Sequence, residues 1–311
     1  MKTRFAVTII LVLTLLGCER EKKETTTRGN LHALFAESIA PVMVVEVSQF
    51  LSDYEKTGVV ITYETVSSEE AIHRMLHDTL RYIVSMRPMT QAEKQQLPKI
   101  EGFSLNEIIV AYDGMAVIVH EKNSVEKITT TELSKILSGE IRRWEQLSHP
   151  ETMKGAIELC YQDSSDVSTF SENRLLQGKT VRKDFRKTSS SLVTLCSVAE
   201  RPLSLGLVGT LWIDSAHVSG KILKVAETRQ PTDTTFPVLP ERMGKFCTPH
   251  PANIFRNYYP LKRALYAYTF GPVASFASGF GTFVATKDGQ RIFLEKKIVP
   301  ATQPIRLKAP E

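Results

Sequence analysis

The sequence predicts an α/β protein of two lobes with a ligand cleft between them. Strand and helix patterns alternate twice along the chain, and the backbone has two apparent crossing points, near Tyr112 and near Pro251. The stretch 108–147 carries the first crossing. Ile108, Ile109, Val110 and Ala111 form one apolar run, Tyr112-Asp113-Gly114 breaks it, and Met115-Ala116-Val117-Ile118-Val119 resumes it. No crossover helix fits between two such strands. One backbone therefore leaves one sheet and enters another, which makes Asp113 a candidate hinge and cleft residue. A single doubly wound sheet satisfies the same alternation.

The elements follow in chain order. Residues 31–36 read as a short apolar strand running into Glu37-Ser38. The next helix repeats Ile39, Val42, Met43, Val47, Phe50 and Leu51 on one stripe, with Ser38 as N-cap and Pro41 in the first turn. A strand is expected over 59–63, a helix over 68–80 and a third strand over 81–85. A short helix then starts at Thr90 with Glu93 three residues on. After the crossing comes a polar loop and a helix boxed by Thr129 and Glu132 that stops at Gly139. Strand 156–161 opens into the loop 163–170 and a helical run to Leu176. A helix over 189–199, strands over 205–213 and 222–225, and a proline-rich return over 231–251 come next. A strand over 261–269, helices over 276–285 and 290–295 and an extended tail from Pro300 close the chain. Trp144 and Trp212 read as core.

The chain has 311 residues, 42% hydrophobic and 23% charged, which is ordinary for a globular protein. Lys2 and Arg4 precede an apolar run over 5–16, shorter than the roughly 20 residues a spanning helix needs. That run ends in Leu15-Leu16-Gly17-Cys18, which resembles a bacterial lipobox, so residues 1–17 read as a lipoprotein signal peptide and Cys18 as the lipidated first mature residue. Residues 18–28 are a polar tether. Without Lys2 and Arg4 the 39 cations fall to 37 against 34 acids, a charge of +3, too weak and scattered for nucleic acid. The three later cysteines allow at most one internal disulfide, and Cys160 and Cys196, in apolar runs, read as buried.

In open α/β sheets ligands sit at the carboxyl ends of strands, against helix N-termini. Here those ends are Glu37-Ser38, Ser85-Met86-Arg87, Asp113 and the loop with Ser164, Ser165, Ser168 and Thr169. Unpaired amides and hydroxyls there favour an anion, and Arg87 can hold an oxyanion through two N–H groups. Asp113 would favour an oxyanion that still carries a proton, such as hydrogen phosphate, over sulfate. Each serine taken alone reads as an N-cap or turn former. There is no nucleophile elbow, Walker loop or dinucleotide fingerprint, and His73 and His77 lack an intervening Glu base, so no catalytic or metal residue and no cofactor is expected.

Several pieces, in order, resemble the phosphate-binding (PstS-like) lipoproteins and periplasmic proteins of ABC transporters. They are Ser85-Met86-Arg87-Pro88-Met89-Thr90 with Glu93, the stretch from Ala111 to Val119, and Ile128-Thr129 through Gly139 to Trp144. Gly206-Leu207-Val208-Gly209, the stretch from Tyr259 to Tyr266, Phe283, Gly289-Gln290 and Pro300 continue the series. The resemblance spans about 29–307. It implies the type II periplasmic binding protein fold, with one lobe from 29–111 plus 252–311 and the other from 112–251. It also implies inorganic phosphate or a related oxyanion as ligand, and an ABC permease and the membrane, reached through the lipid anchor, as partners. The expected ligand residues are Glu37, Ser38, Arg87, Asp113, Ser164, Ser165, Ser168 and Thr169. Here the loop departs from a Ser-Gly-Thr-Arg pattern. It has no glycine, Ser171 stands near the expected arginine, Arg174 lies about one turn further on, and Met86 replaces a hydroxyl donor. Loss of a charged donor from a buried anion site costs about 1.5–3 kcal/mol. The altered loop also fits an alternative, an envelope lipoprotein with a structural or sensory role that kept the fold and lost the ligand.

Overall fold

A computed structural model describes residues 23–148, 153–216, 218–229 and 236–303. The expected signal peptide and Cys18 lie outside the described residues. Of the expected tether, residues 23–28 are packed down: Glu24 accepts from Phe276 N at 2.6 Å and from Arg81 Nη1 at 3.1 Å.

β1 (Gly29–Ala36) is buried from Ala33 onward, as an apolar run in a sheet covered on both faces should be. α1 (Ala40–Asp53) keeps Pro41 in its first turn. Ser38 does not cap it: the residue sits inside a 3-10 turn, Glu37–Ile39, that feeds the helix. β2 (Val59–Val66) and β3 (Tyr82–Ser85) run parallel to β1 on either side. Between them α2 (Ser68–His77) starts on Ser67, whose hydroxyl accepts from Glu70 N. α3 (Gln91–Gln96) has the Thr90–Glu93 capping box expected from the sequence.

β4 (Ser104–Val119) is the spine of the molecule. The break expected at Tyr112-Asp113-Gly114 is absent, and one extended strand runs through. Asp113 has long-range partners, described below, and needs no turn to satisfy it. Gly114 is there for packing: a Cβ on it would stand 3.1 Å from Ile254 Cδ1. The exchange of sheets is nonetheless real.

β5 (Lys127–Thr129) leads into α4 (Thr130–Ser138), boxed by Thr129 and Glu132 and stopped by Gly139 in the left-handed conformation, φ 85°. β6 (Glu158–Tyr161), α5 (Asp166–Arg174), β7 (Arg186–Lys187), α6 (Ser191–Ala199) and β8 (Ser204–Gly209) follow. The strand expected to reach 213 ends at Gly209, and α7 (Thr210–Ala216) takes over. β9 (Lys221–Ile222), β10 (Lys224–Ala226), α8 (Pro251–Phe255), β11 (Lys262–Gly271), α9 (Phe276–Ala285), α10 (Lys287–Glu295) and β12 (Val299–Pro300) complete the described chain.

The main sheet runs in the order β2-β1-β3-β11-β4-β8-β6-β7. β4 pairs antiparallel with β11 as far as Gly114↔Lys262, then with β8 from Met115↔Gly209 onward. One strand thus serves two half-sheets, with the change of partner beside Asp113. Each half has its own core. Phe50 meets Phe276, Phe280 and Phe283 at ring distances of 5.2–5.8 Å under the first. Trp144 is fully buried under the second and donates from Nε1 to Leu203 O at 2.9 Å. Burial of each such ring contributes about 1.5–3 kcal/mol.

Cys160 and Cys247 are buried and Cys196 is exposed on α6, against the expectation for it, and all three are free. The rings of His73 and His77 lie 4.6 Å apart on an exposed face of α2. Among the described residues no group of His, Cys, Asp or Glu could hold a metal ion.

Candidate ligand cleft

A cavity of about 140 Å³ lies where the two half-sheets meet. The end of β3 supplies Met86, Arg87 and Pro88, and α5 supplies Asp166, Thr169, Phe170, Asn173 and Arg174. The start of β11 supplies Lys262, Arg263, Ala264 and Tyr266, and Phe236 covers one side. Its position, at the carboxyl end of a parallel strand and at the point where the sheet changes partners, is where an open α/β sheet places a ligand.

Hydrogen bonds through side chains tie three strand and helix ends together around it. Ser85 Oγ donates to Arg87 O (2.8 Å) and accepts from Arg87 N (3.2 Å), which closes the turn after β3. Met86 N donates to Ser68 Oγ at 2.7 Å, and Ser68 N donates to Asp166 Oδ1 at 2.9 Å. Asp166 therefore reaches from α5 across to the first turn of α2, where unpaired amides and the helix dipole favour a negative charge. Its Oδ2 has no hydrogen-bond partner, and burial pushes its carboxyl above the ordinary range. The opposite contact also exists. Glu37, beside α1, accepts from Ser191 N (3.0 Å) and Ser191 Oγ (2.8 Å) at the start of α6, and burial raises its pKa as well.

Asp113 is fully buried and paired with Arg263, whose Nη2 donates to Oδ2 at 2.5 Å; Thr210 Oγ1 donates to its other oxygen. Gly209 makes the close approach possible, since a Cβ there would stand 2.8 Å from Arg263 Nη2. Arg263 spends one nitrogen on this pair, and among the described residues its Nε and Nη1 have no hydrogen-bond partner. Arg174, also buried, donates from Nη2 to Glu227 Oε2 (2.8 Å) and Pro260 O (3.1 Å), and among the described residues its Nη1 has no hydrogen-bond partner. Lys262 Nζ sits 4.0 Å from the centre of the Tyr112 ring and donates to Asn257 Oδ1 at 2.7 Å. Burial pulls the Lys262 pKa down to about 8.

The residues singled out by sequence fall into three groups. Thr169 and Arg87 line the cavity, but Arg87 is gripped by Glu69 (2.5 Å) and Glu93 (2.7 Å). Asp113, Ser38 and Glu37 are at the junction of the half-sheets without lining the cavity; Ser38 is buried and presents its carbonyl to the Gly209 site. Ser165 and Ser168 spend their groups on each other in the α5 capping box, while Ser164 is exposed and supplies a left-handed residue, φ 52°, in the turn before it. Sequence reasoning missed Arg263, Ser68, Thr210 and Glu227. A signal existed for the first: Lys262-Arg263 interrupts an otherwise apolar strand, and a charge in such a run is rarely buried without a partner.

A sheet divided by a shared strand, with a cation-lined cavity at the division, defines the class of two-lobed binding proteins. A family model for the PBP superfamily domain matches residues 21–288, and the chain belongs to that superfamily, with the type II periplasmic binding protein fold. It is 26% identical over 183 residues to the phosphate-binding protein PstS of Borreliella burgdorferi, which covers 56% of this chain and 62% of that protein, less than two thirds of its length. A PstS of Pseudomonas aeruginosa is 22% identical over 305 residues, 93% of this chain and 88% of the relative. In structure, the chain resembles a substrate-binding protein from Clostridium perfringens solved with bound phosphate and ascribed to phosphate ABC transport. The TM-score is 0.70 at 18% identity, over 88% of this chain and 100% of that one. An ABC-type phosphate transport receptor from Vibrio cholerae gives 0.65 at 18% identity, over 86% and 99%.

Proposed function

We propose that the chain is an extracytoplasmic solute-binding lipoprotein that captures a small oxyanion, phosphate first, and hands it to an ABC permease. Cys18 carries the lipid that holds it at the membrane. The lobes are 29–111 plus 252–311 and 112–251, and they hinge near Tyr112 and in the 245–260 return. The observation that carries this reading is the cavity at the junction, whose wall holds four cations, Arg87, Arg174, Lys262 and Arg263, against the single acid Asp166. No nucleophile–base pair stands in it, and the relatives above are named as binding proteins.

Titration calorimetry of the purified chain with phosphate at neutral pH, with sulfate as control, tests the reading. Heat with phosphate and none with sulfate is the expected result. No heat and no thermal shift with either anion would sink it. That outcome would favour a ligand-free structural or sensory role, which one observation also supports: Asp166 and Glu37 already place the protein's own carboxylates on helix N-termini across the junction.

A further inference from the structure

Among the described residues Asp166 is the one acid in the cavity wall, and it reaches across the junction. It is the first residue of α5, which packs on β8. Its Oδ1 accepts at 2.9 Å from the amide of Ser68, the first residue of α2, which packs on β1 and β3. Ser68 does not line the cavity. The Asp166 carboxylate thus stands between the α2 N-terminus and the space open to a solute, and it takes the amide and the dipole that this helix end offers an anion. Burial raises its carboxyl, while the Ser68 amide and the Arg263 guanidinium favour the ionised form.

The same wall holds cationic donors with capacity to spare. Arg263 Nε and Nη1 and Arg174 Nη1 have no hydrogen-bond partner among the described residues, on side chains of residues only 1% and 4% exposed. An anion drawn to these nitrogens meets the buried carboxylate of Asp166, whose Oδ2 likewise has no hydrogen-bond partner. Two negative charges in one water-poor cavity repel each other far more than they would in water. We infer that Asp166 is a built-in competitor of the solute: its carboxylate holds the anion position at the N-terminus of α2, and an incoming oxyanion must displace it. The inference rests on the reading of this cavity as an oxyanion site and identifies what limits affinity there. Glu37, which makes the corresponding contact with Ser191 at the start of α6, lies outside the cavity wall and so joins the two halves without competing.

The test is titration calorimetry of the full chain and of Asp166→Asn with inorganic phosphate at neutral pH. Asparagine keeps the shape of the side chain and removes its charge. Asp166→Asn should bind phosphate at least about tenfold more tightly than the parent, the scale on which a neighbouring like charge shifts an equilibrium in a buried site. Asp166→Ser gives a second reading should the first variant not fold. Glu158→Gln removes an exposed acid at the start of β6 and should stay within about twofold of the parent, because water and salt screen it. A parent that binds phosphate and an Asp166→Asn that binds it no more tightly would overturn the inference and leave the proposed function standing, as would an equal gain in Glu158→Gln. Binding by Asp166→Asn where the parent shows none would uphold the inference and overturn the proposed function, since the chain as it stands would then capture no solute. Failure of both to bind would overturn both.

Discussion

Two arginines flank the same cavity and have opposite surroundings. Arg87, at the end of β3, is partly exposed, and Glu69 and Glu93 both grip its guanidinium. Arg263, at the start of β11, is fully buried, shares one nitrogen with Asp113 and leaves two without partners. The first is saturated by an exposed acid, Glu69, and by Glu93, which the α3 capping box also holds. The second was taken out of water at a cost of several kcal/mol that its single carboxylate offsets only in part. A buried cation with unspent donors is positioned for an anion, and a saturated one at the rim is positioned for structure. The difference in burial thus draws attention to Arg263, which the sequence reading does not single out.

The largest effect expected from this contrast is on stability. Arg263→Met leaves Asp113 buried beside Thr210 with no countercharge, and loss of one member of a buried pair costs about 3–5 kcal/mol. The midpoint of urea unfolding should fall accordingly. Adding Asp113→Leu should return much of the loss, because replacing both partners by apolar groups removes the stranded charge. A single variant within about 1 kcal/mol of the parent would show that Asp113 and Arg263 do not form a fixed pair.

Local signals are legible in the sequence for a physical reason. The boxes Thr129–Glu132 and Thr90–Glu93 and the left-handed Gly139 are built from neighbours in the chain, so spacing alone reveals them. The exchange of β4 between half-sheets was legible in the doubled apolar run. Its continuous backbone was not, because Asp113 is satisfied by Arg263, 150 residues away. Ser38 looked like an N-cap and became part of a 3-10 turn, and the apolar pattern over 210–213 became a helix, both under tertiary packing that period and propensity do not encode. The cavity takes in Arg87 and Thr169 from the strand ends that the sequence singles out. Which side chains occupy it depended on long-range pairing: Asp166, an ordinary loop acid in the sequence, bridges to α2.

At Arg87 the expected effect is smaller and depends on pH. Contact with Arg87 lowers the Glu93 carboxyl from 4.5 to about 2. A lowered carboxylate pKa stabilises the fold above the unfolded value, and that stability is lost as pH falls from about 4.5 through about 2. Arg87→Gln should therefore cost about 1 kcal/mol at pH 7, the upper end for a solvent-screened pair, and flatten the acid limb of the stability curve. Unfolding followed between pH 7 and pH 2 separates the two proteins. Parallel acid limbs would mean that Thr90, which also donates to Glu93, accounts for the shift without the arginine.

Lys262 lies next to Arg263 and gives the mildest test of the buried side. Burial lowers its pKa from 10.5 to about 8, so between those values the unfolded chain holds a proton that the folded chain has released. Stability must then rise with pH across that window, the same sign of slope as the Glu93 limb but at the alkaline end. The aromatic rings of Tyr112 and Phe236 and the amide of Asn257 offset part of the burial, so the gain should be only about 1 kcal/mol. Lys262→Met should abolish the rise and leave the protein at least as stable as the parent at pH 7. Thermal unfolding at pH 7, 8.5 and 10 would read it. A parent curve that is flat or falling across this range, after comparison with Lys262→Met, would mean that the lysine reaches water and that the two sides of the cavity differ less than their geometry indicates.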